Sequence, residues 1–324
     1  MAKKKYKLTE ERPFFKPFTY DWAYNAWLEH EQAHWIHSEL PIIEDVKDWK
    51  SKLNENEKTF LTHIFRFFTQ GDIDVAGGYV KNYLPYFPQP EIRMMLCGFA
   101  AREAVHIAAY SHLIETLGMP ETIYSEFLEY SAMKEKHLYF EDFYNKDEKN
   151  IAQQIAAFSA FTEGMMLFSS FIMLLNMPRH GLMKGMGQII IWSLNDETAH
   201  CEAMIKLFRT FIEENRHIWD DKLKSEIYII ATKMVELEDK FIDLAFGMGD
   251  MRDLTADDMK QYIRYIADRR LISLGLKGIF KVKKNPLPWV AEMINAPTHT
   301  NFFENKVTDY SKGALTGSWE DVWA

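Results

Sequence analysis

Two short stretches of this chain pair a carboxylate with an imidazole three residues on: Glu103-Ala104-Val105-His106 and Glu197-Thr198-Ala199-His200. On an α-helix, positions three apart share a face, so each pair points both side chains the same way. Oxygen and nitrogen donors side by side make half of a metal site. Hard carboxylates with imidazole suit iron or manganese better than zinc or copper. Two such halves on separate helices predict a dinuclear centre inside a helical bundle.

The rest of the chain has to supply the helices that carry these halves. Of 324 residues, 47% are hydrophobic and 15% aromatic, enough for a sizeable core, and only 15 Gly and 11 Pro interrupt them. No strand-period alternation is visible. Asn54 and Glu57 form a capping box that opens a helix to about Gly77. Pro88 and Pro90 precede a helix reaching about Gly118, and Pro120 starts the next. Others are expected from Asn150 to just before Pro178, and from after Gly181 to about Glu214 in spite of Gly185 and Gly187. Two more are expected at 220–246 and, behind Thr255 and Asp258, at 256–273. The expected division is an N-terminal tail over 1–18, a helical domain over 19–298 and a flexible C-terminal tail over 299–324.

Composition also excludes several functions. A net charge of −9 and a pI of about 5.7 argue against nucleic acid as a partner. Lys3–Lys5 read as a solvated tail, since no apolar signal region follows them. The longest apolar run, around Leu167–Leu175, is too short to span a bilayer, so no membrane is expected. Cys97 and Cys201 form no disulfide or metal pattern. The expectation is a soluble cytoplasmic protein.

The helical seams sharpen the metal reading. One reads Ile92, Leu96, Phe99, Glu103, His106, Tyr110, Leu113, and another Met186, Ile190, Ser193, Glu197, His200, Met204, Leu207. A carboxylate on a core-facing stripe is costly unless something compensates it. Two further stripes share the anomaly: Leu61, Phe68, Asp72, Val75, and Ala156, Ser159, Glu163, Leu167, Phe171. One carboxylate from each of two helices plus Glu-x-x-His from each of two more is the ligand inventory of ferritin-like di-iron and di-manganese bundles, with Asp72 in place of one Glu. The fold class expected is therefore all-α, a ferritin-like bundle with additional helices. A single Glu-x-x-His arises readily by chance; four seam carboxylates in phase do not. Asp74 and Glu202 lie off the ligand faces, and His63, His112 and His180 read as ordinary helix or turn histidines.

Nearly the whole chain, from about Trp22 onward, resembles the small, radical-generating (R2, beta) subunit of class I ribonucleotide reductase. The likeness rests on Phe67-Phe68-Thr69-Gln70-Gly71-Asp72, Glu103–Tyr110, Phe161-Thr162-Glu163 and Asp196–His200. The resemblance implies six metal ligands, Asp72, Glu103, His106, Glu163, Glu197 and His200, and a tyrosyl radical on Tyr110. It implies two metal ions, iron first, with di-manganese and manganese–iron as the other forms; a tyrosine at 110 leans away from the mixed pair. It implies molecular oxygen or a derived oxidant, a homodimer, and a large (alpha) subunit to which the radical passes. Trp35, Asp196, Glu304 and Tyr310 match its radical-transfer residues. The closing Trp319-Glu320-Asp321-Val322-Trp323-Ala324 resembles the tail that docks on the large subunit. No nucleotide-binding or thiol-reduction site is visible, so the partner would bind and reduce ribonucleotides. The competing readings are an R2-like ferritin-fold oxidase or monooxygenase, an iron-storage protein, and a metal-free structural bundle. None of them needs Tyr110, Trp35, Asp196, Tyr310 and an aromatic tail together.

Overall fold

Three of the helices begin at a side-chain cap. In the structure, a computed structural model describing residues 6–40, 42–141 and 148–295, Asn54 Oδ1 accepts from the Glu57 backbone N–H at 3.0 Å. Glu57 Oε2 accepts from the Asn54 N–H at 2.9 Å in return. Thr255 and Asp258 form a second capping box, and Asp220 caps through the Leu223 N–H at 2.8 Å. The helices are α1 (Asp21–Gln32), α2 (Ile43–Ser51), α3 (Glu55–Gly78), α4 (Pro90–Thr116), the single turn α5 (Ile123–Glu126) and α6 (Ser131–Glu141). There follow α7 (Glu148–Ile155), α8 (Leu167–Arg179), α9 (Lys184–Glu214), α10 (Asp221–Ala245), α11 (Ala256–Ser273) and α12 (Pro288–Asn295). A π-helical segment, Ala156–Met166, joins α7 to α8 without a break. Among the described residues there is no strand, only the isolated bridge between Met251 and Leu254.

Contacts divide the chain into two compact units, Met1–Pro288 and Trp289–Ala324; of the second, only the stretch to Asn295 is described. In the first, α3, α4, α9 and the run through the π-segment into α8 pack on one another as a ferritin-like bundle. α1 lies on α4 and α9, while α10 and α11 cover the π-segment. Residues 6–20, placed largely outside the domain by the expected boundaries, are pinned to this bundle. Arg12 donates to Glu91 at 2.6 Å with both side chains buried, and the Tyr20 hydroxyl donates to Glu214 at 2.5 Å.

The run Asn150–Arg179 is apolar and long enough to cross a membrane, longer than the stretch read from composition, yet its apolar window is entirely buried as a core helix. It also continues past the expected stop, with Pro178 inside its last turn. Gly187 leaves room for that proline: a Cβ there would lie 2.8 Å from the Pro178 ring. The start of α9 has no local cap and takes one from α2. Asp45 accepts from the Gly185 and Met186 N–H groups at 3.0 and 2.6 Å, and Asp48 from the Met183 N–H at 2.9 Å. A Cβ on Gly185 would meet the Ile42 backbone at 2.9 Å, so glycine is what lets α2 come this close.

Away from the candidate ligands, the core holds an ion pair. Lys136 donates to Glu238 at 2.8 Å, both buried, with its ammonium over the Phe67 and Phe241 rings at 4.5 and 4.2 Å. Removing one partner strands a buried charge. Lys136→Met should therefore cost about 3–5 kcal/mol, and adding Glu238→Leu should recover most of it. Denaturant midpoints of the single and double variants check this; a double variant as unstable as the single one would contradict it.

Candidate metal centre

Four helical elements each deliver part of one buried cluster: Asp72 from α3, Glu103 and His106 from α4, Glu163 from the π-segment, and Glu197 and His200 from α9. The donor atoms form two overlapping groups, Asp72–Glu103–His106–Glu197 and Glu103–Glu163–Glu197–His200, each within 4.8 Å of one another. Glu103 and Glu197 belong to both. His106 turns Nδ1 inward, 3.2 Å from Glu103 Oε2 and from Glu197 Oε1. His200 does the same, with Nδ1 3.1 Å from Glu103 Oε1 and 3.7 Å from Glu197 Oε2.

A cation site can be tested by the atoms it leaves without partners. Both oxygens of Asp72, both of Glu197, Glu103 Oε1, Glu163 Oε2 and His200 Nδ1 are buried without a hydrogen bond of acceptable geometry. Buried polar atoms are nearly always satisfied, and here the exceptions are mixed oxygen and nitrogen donors converging on one place. The cluster fits a dimetal site, in which Glu103 and Glu197 are common to the two donor groups.

Without metal, protons compensate the carboxylates. Burial, reinforced by the charges of Glu103 and Glu197, pushes Asp72 well above the usual carboxylate range. Burial and the charge of Glu197 do the same to Glu163. Burial would raise Glu103 too, but the imidazoles of His106 and His200 beside it outweigh burial and hold it at about 2. Burial works against the imidazolium forms, yet hydrogen bonds to Asp196 and Glu103 raise His106 well above its ordinary value. Glu103 and Glu197 likewise lift His200 to about 10. In the metal-free chain proton uptake is therefore favoured at Asp72 and Glu163.

The outward nitrogens have partners of their own. His106 Nε2 lies 3.1 Å from Asp196 Oδ2, which also accepts from Trp35 Nε1 at 2.8 Å; the Trp35 and His106 rings stack at 5.7 Å. Arg102 donates to Asp196 at 3.1 Å. Burial would raise Asp196, but His106 and Arg102 hold it at about 2. Tyr110 is buried, its ring 6.3 Å from that of His106. Its hydroxyl has no hydrogen bond, and Ser193 faces it without closing one. Burial and the charge of Asp72 raise its pKa well above the ordinary tyrosine value. The ring's apolar wall is Phe68, at 4.2 Å, with Phe171 behind it at 5.2 Å.

Asp74 pairs instead with Gln70 and His137, and Glu202 lines a cleft outside the cluster. His63 meets Arg66 and Tyr130, His112 meets His37, and His180 lies 3.8 Å from Asp253. Glu304, Tyr310 and Trp319–Ala324 lie outside the described residues. Sequence reasoning missed Tyr79, whose hydroxyl donates to Glu163 Oε1, and His30, whose Nε2 is 3.0 Å from His200 Nε2. Burial and the neighbouring His200 and Arg102 hold His30 at about 3, hence neutral.

Comparison with known proteins gives consistent matches. The family model for the ribonucleotide reductase small chain matches residues 12–286. A probable ribonucleoside-diphosphate reductase small subunit of Invertebrate iridescent virus 3 is 55% identical over 331 residues, covering 97% of this chain and 88% of its own length. Its counterpart in Invertebrate iridescent virus 6 is 50% identical over 354 residues, covering 98% of both. A solved R2 subunit of ribonucleotide reductase from Clostridium botulinum superposes with a TM-score of 0.79 at 22% identity, over 85% of this chain and 88% of that one.

Proposed function

The chain belongs to the ribonucleotide reductase small-chain family, and from that membership we propose a role for each part of the buried cluster. Its function is that of the small subunit of ribonucleoside-diphosphate reductase: to generate and store a tyrosyl radical that the large subunit uses to reduce ribonucleotides to deoxyribonucleotides. In our reading Asp72, Glu103, His106, Glu163, Glu197 and His200 hold two metal ions. The donors are hard carboxylates with imidazole, which suit iron and manganese alike; iron is our first assignment on the family resemblance. When bound and treated with oxygen or a derived oxidant, the metal pair supplies the one-electron oxidation.

The chain's own residues do the rest. Tyr110 loses an electron and its phenolic proton, and Phe68 and Phe171 keep water and reductants from the ring. Asp196 holds His106 in place, links it to Trp35 and is itself held by Arg102; that chain of contacts is the outward route. Glu304 and Tyr310 extend it to the large subunit, with Trp319 and Trp323 as anchors, since large rings dominate small interfaces. We assign the working form to a homodimer in the cytoplasm.

The observation that carries this reading is the convergence of unpartnered ligand atoms beside a buried tyrosine. Metal-depleted protein reloaded with ferrous iron, or with manganese and a suitable oxidant, should show a sharp tyrosyl signal by electron paramagnetic resonance. Its absence under both regimes would overturn the radical assignment. Asp196→Asn and Tyr310→Phe should each retain that signal while turnover with the large subunit falls to background. Normal turnover from either variant would remove that residue from the route.

A further inference from the structure

An imidazole that points Nδ1 at a cation keeps its proton on Nε2, and that N–H needs an acceptor. For His106 the acceptor is Asp196. For His200 the corresponding atom is His30 Nε2, at 3.0 Å, on a helix that carries none of the six candidate ligands. The two rings lie 5.0 Å apart, and Phe99 packs on both, 5.1 Å from His30 and 4.2 Å from His200. His30 can accept only if its own proton sits on Nδ1, and that nitrogen is buried without a hydrogen-bond partner. An orphaned N–H is the cost of leaving Nε2 free. His30 also lines a cleft of about 440 Å³ between α1 and α9, with Trp22, Glu29, Asp196, Glu202 and Lys206 among its other residues.

We propose that His30 is a positioning residue for the second half of the metal centre: its Nε2 accepts from His200 Nε2–H, fixing the ring with Nδ1 inward. The inference rests on the metal reading above. It adds that the half of the site holding Glu163 and His200 depends on a neutral acceptor on α1, whereas the half holding Asp72 and His106 depends on a carboxylate on α9. A partner of this kind usually contributes 10–100-fold in metal affinity.

The test titrates metal-depleted protein with Mn²⁺, following the heat of binding and the paramagnetic resonance of the bound ions. The unmodified chain should take up about two ions; failure to do so would overturn the metal reading itself and not this refinement of it. His30→Gln retains an acceptor and should bind both ions nearly as the parent does. His30→Met keeps the volume but offers no comparable acceptor, so one of the two ions should bind about 10–100-fold more weakly while the other is unchanged. His30→Gly should behave like His30→Met and recover on addition of imidazole, which would take the place of the deleted ring beside the cleft. The proposal is overturned if the Gln and Met variants bind alike, if both ions weaken together, or if imidazole restores nothing.

Discussion

Tyr110→Phe should yield a protein that loads metal and reacts with oxygen, yet shows no tyrosyl signal and supports no nucleotide reduction. The substitution removes one oxygen from a ring packed against Phe68 at 4.2 Å and leaves the apolar wall intact. Because the hydroxyl makes no hydrogen bond in its buried position, deleting it strands no partner and should change stability by less than about 1 kcal/mol. What disappears is the O–H bond whose electron and proton are given up together. Without it the oxidising equivalent has no phenol beside His106 on which to rest. The measurement combines elemental analysis, resonance spectroscopy and turnover with the large subunit. Parental turnover from Tyr110→Phe would show that the oxidant is stored elsewhere in the cluster.

The second large effect concerns the carboxylates common to both ligand groups. Glu197→Ala should lower metal content from about two ions per chain to less than one, because Glu197 contributes to each group. Asp72→Ala removes a donor from one group only and should retain more metal. Circular dichroism would establish that both variants keep their helices. Uptake should also depend on pH in a definite direction. His106, His200, Asp72 and Glu163 all bind protons more tightly here than in solution. Metal must displace those protons, so loading should release acid and weaken as pH falls from 8 to 5. Two ions bound by Glu197→Ala, or loading indifferent to pH, would refute the ligand assignment.

The bundle and its inward carboxylates were readable because α-helical period and buried charge leave marks in residue order. Glu103, His106, Glu197 and His200 recur in phase with Leu and Ile on their seams, and Asp72 and Glu163 interrupt two more. Where a contact comes from a distant element, no such mark exists. His30 sits between Glu29 and Glu31, which reads as a solvated face, although α1 buries it. Tyr79 lies seven residues after Asp72, two turns along the same stripe. It was hidden because Gly77-Gly78 looked like the helix's end, whereas the backbone continues past them. The π-winding around Glu163 shifts residues by less than a turn and changes no residue type, so an α-helical period passes over it. Asp45 and Asp48 cap α9 from a helix more than a hundred residues earlier, and only folding brings them together.

The carboxylates around His106 and His200 favour their protonated forms, so in the metal-free chain imidazolium charge would offset part of the negative charge that the bundle brings together. On that account we expect the newly made chain to fold first and be filled afterwards. Folded, unfilled subunits of that kind would let deoxyribonucleotide supply resume when metal is delivered, with no new round of translation.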